Sequence, residues 1–120
     1  MRDLKDRTKK FALDVIKYCM VLPKKQEMQI ISNQLIRCAS SVGANYRAAC
    51  RARSKADFIA KLSIVEEEAD EAVYWMEILE GLGKANDSEL HRLLDEANQM
   101  VAIIVASKKT SKGVASGADS

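Results

Sequence analysis

Proline, glycine and histidine are scarce in this sequence, and each shortage excludes a class of structure or chemistry. Pro23 is the single proline, and only five glycines occur among 120 residues. The chain is instead rich in Ala, Leu, Ile, Glu, Lys and Arg, which favour helix over sheet. This composition indicates an all-α protein, and the length is typical of one domain with a single core.

The single histidine, His91, excludes several catalytic arrangements. A di-iron bundle needs E-x-x-H motifs from two helices, but Ser88 occupies the position of the glutamate. Ser-His-Asp and Cys-His catalysis face the same shortage, and no oxyanion-binding glycine turn stands beside a candidate nucleophile. Gly81-Leu82-Gly83 lacks the strand context and the third glycine of a nucleotide-binding fingerprint. We therefore predict no catalytic residue, no cofactor and no enzymatic activity.

Cysteine is also sparse, with Cys19, Cys38 and Cys50 far apart in the chain. Their number is odd and none forms a C-x-x-C motif, so neither a disulfide framework nor a zinc site is supported. All three stand on apolar helical faces, which predicts buried, reduced thiols. No metal site is expected from them.

Long apolar runs are absent as well. No segment approaches the ~20 consecutive apolar residues that span a bilayer, and the N-terminus lacks the apolar core of a signal peptide. We therefore expect a soluble, cytoplasmic protein with no membrane partner.

Two apolar seams dominate the middle of the chain. Their members recur at alternating spacings of three and four residues, the rhythm of helices that pack on one another. The first seam comprises Met28, Ile31, Leu35, Cys38, Val42, Asn45 and Ala49, and the second comprises Phe58, Leu62, Val65, Ala69, Ala72, Met76 and Leu79. Asn45 is the one polar member of the two rows, which together predict a pair of packed helices.

Local signals set the helix boundaries, chiefly a proline stop, Ser or Asp N-caps and a glycine C-cap. The predicted helices run from about Asp3 to Val21, from just after Pro23 to about Arg53, from Ser54 to 81–83, and from 86–88 to about Ala106. Because short connections force neighbouring helices to run antiparallel, we predict an up-down-up-down four-helix bundle over residues 1–106. The apolar period is lost from Ser107, so residues 107–120 are predicted to form a disordered tail.

Charge is divided sharply along the chain. Residues 1–53 carry twelve Lys and Arg against four Asp and Glu, whereas residues 54–120 carry seven against thirteen. The two parts therefore have net charges of +8 and −6, although the whole chain has only +2. Such a split serves helix pairing, subunit pairing or an exposed basic surface, and composition does not choose among them.

Three polar residues, Arg37, Ser41 and Asn45, follow one another at intervals of four and form a slanting ridge on helix two. A lone buried amide most often fixes helix register, because misaligned packing would leave it without hydrogen-bond partners. We interpret Asn45 in this way, and we expect Arg37 to pair with a carboxylate of helix three.

The acidic run after Val65 supports the one enzymatic alternative. Glu67, Glu68 and Glu71 have E-E-x-x-E spacing, which on a helix can bring carboxylates together for magnesium, as in the all-α nucleotide pyrophosphohydrolases. Those enzymes need a second element of the E-x-x-D type downstream, and the chain lacks it. A solvated or inter-subunit acidic face is the preferred interpretation.

A basic group, Arg47, Arg51, Arg53 and Lys55, lies at the junction of helices two and three, beside Tyr46. Such a patch can neutralise phosphates while the aromatic ring stacks on an unpaired base. These four cations are the candidate RNA contacts, and a solvated helix end is the alternative.

Two neighbouring aromatic residues, Tyr74 and Trp75, widen the apolar face of helix three beyond what one partner helix needs. Large aromatic residues beside a core seam commonly mark subunit contacts. The pair is therefore a candidate subunit interface in a homo-oligomer.

These patterns together resemble the signature of a known family. The matching segments are Gln34-Leu35-Ile36-Arg37, Ser41-Val42, Asn45-Tyr46-Arg47, Ser54-Lys55-Ala56-Asp57-Phe58, Lys61-Leu62, Glu68-Ala69 and Tyr74-Trp75-Met76-Glu77-Ile78-Leu79. They are similar to the four-helix bundle proteins encoded in intervening sequences of bacterial 23S rRNA genes, over about Leu4 to Val105.

This resemblance implies an antiparallel bundle that assembles into a homopentameric ring with no established enzymatic activity. A related branch includes the accessory protein of diversity-generating retroelements, a basic pentamer that associates with a reverse transcriptase and its template RNA. We therefore expect a non-enzymatic, self-assembling scaffold whose partner is structured RNA or a ribonucleoprotein. The alternatives are a magnesium-dependent all-α nucleotide pyrophosphohydrolase and a pure protein-interaction module.

Overall fold

Four helices account for most of the computed structural model, which describes the backbone of residues 3–119 and the side chains of residues 3–113. They are α1 (Leu4–Met20), α2 (Gln26–Cys50), α3 (Lys55–Leu79) and α4 (Ser88–Asp119), with a π-helical turn, Glu80–Lys84, after α3. Residues 3–119 contain no strand, so the predicted all-α class is confirmed. None of the helices in this range is both long and apolar enough to cross a membrane.

The helices form the predicted antiparallel up-down-up-down bundle, which measures 55 × 24 × 23 Å. Each helix packs on the next, α2 and α3 most extensively, and α4 closes the bundle against α1. The α1–α4 seam is packed least and is bridged by ion pairs. Arg7 Nε lies 2.6 Å from Glu96 Oε2, and Arg92 Nη2 lies 3.1 Å from Asp14 Oδ2.

The two apolar seams meet in the core, where every member except Asn45 and Phe58 is buried. Burying a large aliphatic or aromatic side chain of this kind stabilises a fold by roughly 1.5–3 kcal/mol. Cys19 and Cys38 are buried as predicted, but the prediction is wrong for Cys50, which is exposed. Cys50 is the last residue of α2, and there the chain turns out of the bundle.

The ends of α3 follow the predicted local chemistry. Ser54 is the N-cap, and its Oγ accepts a hydrogen bond of 3.0 Å from the backbone N–H of Asp57. At the other end Gly83 has a φ of 109°, a conformation that glycine adopts without steric cost. The predicted glycine stop is therefore made by Gly83.

The start of α4 is joined to the end of α1 through Asp87. One carboxylate oxygen of Asp87 accepts the backbone N–H groups of Glu89 and Leu90 at 3.0 and 3.1 Å. The other accepts the hydroxyl of buried Tyr18 at 2.8 Å. A single carboxylate thus caps one helix and ties it to another.

The end of α4 differs from the predicted disordered tail, because the helix continues past Ala106 to Asp119. The continuation runs beside the start of α3, where Lys108 Nζ lies 2.9 Å from Glu66 Oε1 and Thr110 lines the same shallow groove as half-buried Phe58. These tertiary contacts act where the apolar period of the sequence is already lost. Ser120 of the predicted tail, and residues 1–2 of the predicted domain, lie outside the described residues.

Candidate functional site

Arg37 is the centre of a polar network between α2 and α3. Its Nη2 lies 2.6 Å from Glu71 Oε2, and its Nη1 lies 3.3 Å from both oxygens of Glu68. The guanidinium also donates to Gln34 of its own helix at 3.2 Å. This is the pairing with a helix-three carboxylate that the sequence predicts for Arg37.

Glu71 is held by several donors at once. The indole N–H of Trp75 donates to Glu71 Oε2 at 3.2 Å, opposite the guanidinium of Arg37. The Trp75 hydrogen bond, together with Arg37 and the Cys38 thiol, lowers the pKa of Glu71 although partial burial opposes this. The network therefore keeps Glu71 ionised and fixes the orientation of Trp75.

The acidic run of α3 brings two of its E-E-x-x-E glutamates, Glu68 and Glu71, close to Cys38 of α2. Glu67 is exposed, while Cys38 Sγ and carboxylate oxygens of Glu68 and Glu71 lie within 4.8 Å of one another. Burial, aided by the Glu71 charge, raises the pKa of Cys38 to about 12, so the thiol is protonated at neutral pH. Arg37 pairs with both carboxylates, so the cluster is an ion-pair network.

The polar ridge on α2 divides into two separate units. The Asn45 amide donates to the backbone oxygen of Ser41 at 3.0 Å and to its Oγ at 2.8 Å. Asn45 is half-buried, and both hydrogen bonds stay within α2. Since Ser41 satisfies the amide locally, these bonds do not supply the cross-helix register that the sequence interpretation assigns to Asn45.

The four predicted RNA contacts, Arg47, Arg51, Arg53 and Lys55, are all exposed around the α2–α3 turn. No ion pair involves them among residues 3–113. Tyr46, by contrast, is half-buried against the core, and burial with the neighbouring Cys50 raises its pKa to about 12. The four cations can therefore contact a ligand. The ring of Tyr46, expected from the sequence to stack on a base, packs against the core instead.

Comparisons with known proteins place these features in a family. The sequence profile of the 23S rRNA-intervening sequence protein matches residues 3–106. The chain belongs to this family. It matches none of the curated proteins with which it was compared.

A solved structure supports the same membership in the 23S rRNA-intervening sequence protein family. A protein of unknown function from the S23 ribosomal protein family of Bacteroides thetaiotaomicron superposes with a TM-score of 0.82 at 30% sequence identity. The similarity covers 89% of this chain and 99% of the other. The predicted resemblance to proteins of 23S rRNA intervening sequences is therefore confirmed, and membership by itself assigns no activity.

The aromatic pair of this family member divides between the core and the surface. Trp75 packs against the core, whereas Tyr74 is 53% exposed and meets the indole edge-on, with ring centroids 5.2 Å apart. Three exposed carboxylates share the outer face of α3 with Tyr74: Glu67, Asp70 and Glu77. We call these four residues the acidic stripe.

Two lysines that the sequence interpretation did not single out join the basic surface. Lys5 and Lys9 of α1 line a groove whose other wall carries Arg47 of α2. More than thirty residues separate them in the sequence. The sequence signal was the basic outer face of α1, but only the antiparallel packing of α1 on α2 brings these charges together.

Proposed function

We propose that this protein is a non-enzymatic, cytoplasmic scaffold that assembles into a homopentamer and binds structured RNA, alone or within a ribonucleoprotein. The observation that carries the proposal is the separation of charge on one folded surface. The acidic stripe is exposed on α3, and the basic side chains around the α2–α3 turn are exposed without ion pairs within residues 3–113.

Self-assembly is supported by Tyr74 at the centre of the acidic stripe. An exposed aromatic ring among carboxylates offers apolar area together with a charge that attracts the basic face of a second copy. Contact between two different faces is heterologous, and such contacts close into rings when the rotation between copies fits. We take the number five from the family resemblance.

Light scattering after size-exclusion chromatography tests assembly. At micromolar concentration the wild type should elute with five times the 13.3 kDa chain mass. The double variant Tyr74→Ala/Glu77→Lys should shift to smaller species, whereas Leu82→Ala, which removes a similarly exposed apolar side chain from the turn after α3, should not. A monomeric wild type would refute the scaffold.

RNA binding is tested by charge reversal at the predicted contacts. Replacing Arg47, Arg51, Arg53 and Lys55 by Glu should abolish retention of a labelled stem-loop RNA at moderate salt, because phosphate contacts dominate such affinity. The helical circular dichroism should be unchanged. The matched control reverses four cations near the other end of the bundle, namely Lys17, Lys24, Lys25 and Lys84. Equal retention by wild type and both variants would exclude this patch.

The non-enzymatic part of the proposal is supported by the ion pairs of Glu68 and Glu71 with Arg37. A carboxylate pair that already shares a guanidinium attracts magnesium less strongly than a free pair. We therefore expect no pyrophosphate or phosphate release from a panel of nucleoside triphosphates with magnesium. Steady release that Glu71→Gln abolishes would instead establish the hydrolase alternative.

A further inference from the structure

We propose that the groove between α1 and α2 is a track for a sugar-phosphate backbone, with Lys5 and Lys9 on one wall and Arg47 on the other. This inference rests on the proposed RNA binding and names the surface that carries it. The groove encloses about 280 Å³ and is open to solvent along its length.

The floor of the groove consists of small side chains, namely Ala12, Ser40, Gly43 and Ala44. The two helices approach closely there, since a Cβ on Gly43 would stand 3.5 Å from the backbone oxygen of Thr8. No long side chain rises from this floor, so a ligand can reach the cations on both walls together.

The cations on the walls are not held in ion pairs. Lys5, Lys9 and Arg47 are exposed, none forms an ion pair within the described side chains, and no carboxylate lines the groove. The comparable groove between α1 and α4 is different, because its cations pair with Asp14 and Glu96. One seam of the bundle is neutralised internally, and the other keeps a positive potential for a partner.

The spacing of the cations fits a repeating anion. Lys5 and Lys9 are one helical turn apart on α1, about 6 Å along the axis, and Arg47 lies across the groove on α2. Two cations one turn apart on one wall and a third on the facing wall suit the phosphates of one strand, which position a nucleic acid without reading its bases.

A protein segment suits this groove less well. Protein interfaces draw most of their binding energy from aromatic or aliphatic anchors in deep pockets, and the largest apolar side chain on this floor is an alanine. Arg51, Arg53 and Lys55 lie beyond the end of α2 and do not line the groove. The proposed RNA-binding surface is therefore centred closer to α1 than the basic patch that the sequence predicts at the α2–α3 junction.

The deciding comparison is Lys5→Glu/Lys9→Glu against Lys24→Glu/Lys25→Glu, which makes the same charge change at an exposed pair near the opposite end of the bundle. Binding of a labelled stem-loop RNA is measured from 50 to 200 mM KCl. The first variant should bind about tenfold more weakly or worse. The slope of its log affinity against log salt should be less negative than that of the wild type by about two, because two phosphate contacts are lost. The control and Lys5→Arg/Lys9→Arg should keep near-wild-type binding.

A neutral substitution separates a seated backbone from diffuse attraction. Ala44→Gln fills the exposed floor without changing charge and should weaken RNA binding several-fold, whereas Ala102→Gln on the exposed face of α4 should not.

If wild type binds RNA and the Lys5/Lys9 and Ala44 variants bind equally well, the track is wrong while the proposed function stands. If the wild type binds no RNA, both the track and the proposed RNA binding are refuted. If the Lys5/Lys9 variant loses assembly but keeps RNA affinity, the groove is a subunit contact instead.

Discussion

At the scale of single residues, Arg37 shows how a half-exposed side chain organises buried neighbours. It bridges Glu68 and Glu71, the indole of Trp75 donates to Glu71, and the Cys38 thiol lies beneath. The polar groups of this cluster bind one another. This agrees with the finding that every buried side-chain nitrogen or oxygen among the described residues has a hydrogen-bond partner. The acidic run on α3 is thereby coupled to the basic helix α2.

Acid should remove part of this coupling. The pKa of Glu71 is lower in the folded protein than in the unfolded chain, so its contribution to stability is present above the unfolded pKa, about 4.3. That contribution is lost as the pH falls through the folded value. Glu71→Gln should therefore be less stable than wild type at pH 7, and the difference should shrink below about pH 4.

Urea denaturation from pH 3 to 7 measures this difference. The control is Glu67→Gln, which removes the same charge from the exposed face of α3 without breaking an ion pair found in the structure. Other acidic groups titrate in all three proteins and cancel in the comparison. A gap between Glu71→Gln and wild type that stays constant with pH would contradict the assigned network.

At the scale of helices, the end of α3 depends on one glycine. Leu82 and Gly83 depart from helical geometry, and Gly83 alone has a positive φ in residues 3–119. The chain then enters the Asp87 cap of α4. The two glycines that the sequence presents as equivalent therefore have different roles.

Alanine substitution should separate these two glycines. Gly83→Ala places a Cβ on left-handed backbone and should lower the free energy of unfolding by roughly 1–2 kcal/mol. Gly81→Ala meets no atom within 4 Å and should leave stability unchanged or raise it by up to about 1 kcal/mol. Denaturation midpoints compare them directly, and equal midpoints would show that the turn tolerates alanine at 83.

At the scale of the whole molecule, charge is arranged by end and by face. The α1–α4 seam is neutralised by its own ion pairs, the α1–α2 groove is not, and the acidic stripe lies on α3. Folding thus converts the two oppositely charged parts of the sequence into separate surfaces. This separation supports the proposal that a second copy and an RNA bind at different places.

The extension of α4 should be dispensable for folding. No side chain in residues 107–113 is fully buried, and the partly buried ion pair of Lys108 with Glu66 contributes about 1 kcal/mol. A chain that ends at Ala106 should unfold cooperatively with a loss of about 1–2 kcal/mol, which includes exposure of Phe58. Calorimetry checks this, and loss of the cooperative transition would place residues 107–113 within the essential domain.

The helices and most of their ends are predictable from the sequence, because the interactions that determine them act between residues close together in the chain. The spacing of apolar residues in the two seams, Pro23, the Ser54 cap and the glycine at 83 each act over one or two helical turns. The pairing of Arg37 with a carboxylate of α3 can also be predicted from the sequence, because a lone cation beside an apolar seam needs an acidic partner.

Sequence alone therefore determined four helices, their approximate boundaries except the end of α4, their antiparallel order and the faces that form the core. Only the tertiary structure decided which surface groups meet: Lys5 with Arg47 across a groove, Asn45 with Ser41 rather than another helix, and Lys108 with Glu66 beyond the predicted end of α4. The physical reason is distance. Periodicity and capping act along the chain, whereas these encounters depend on how each helix is rotated and aligned against its neighbour.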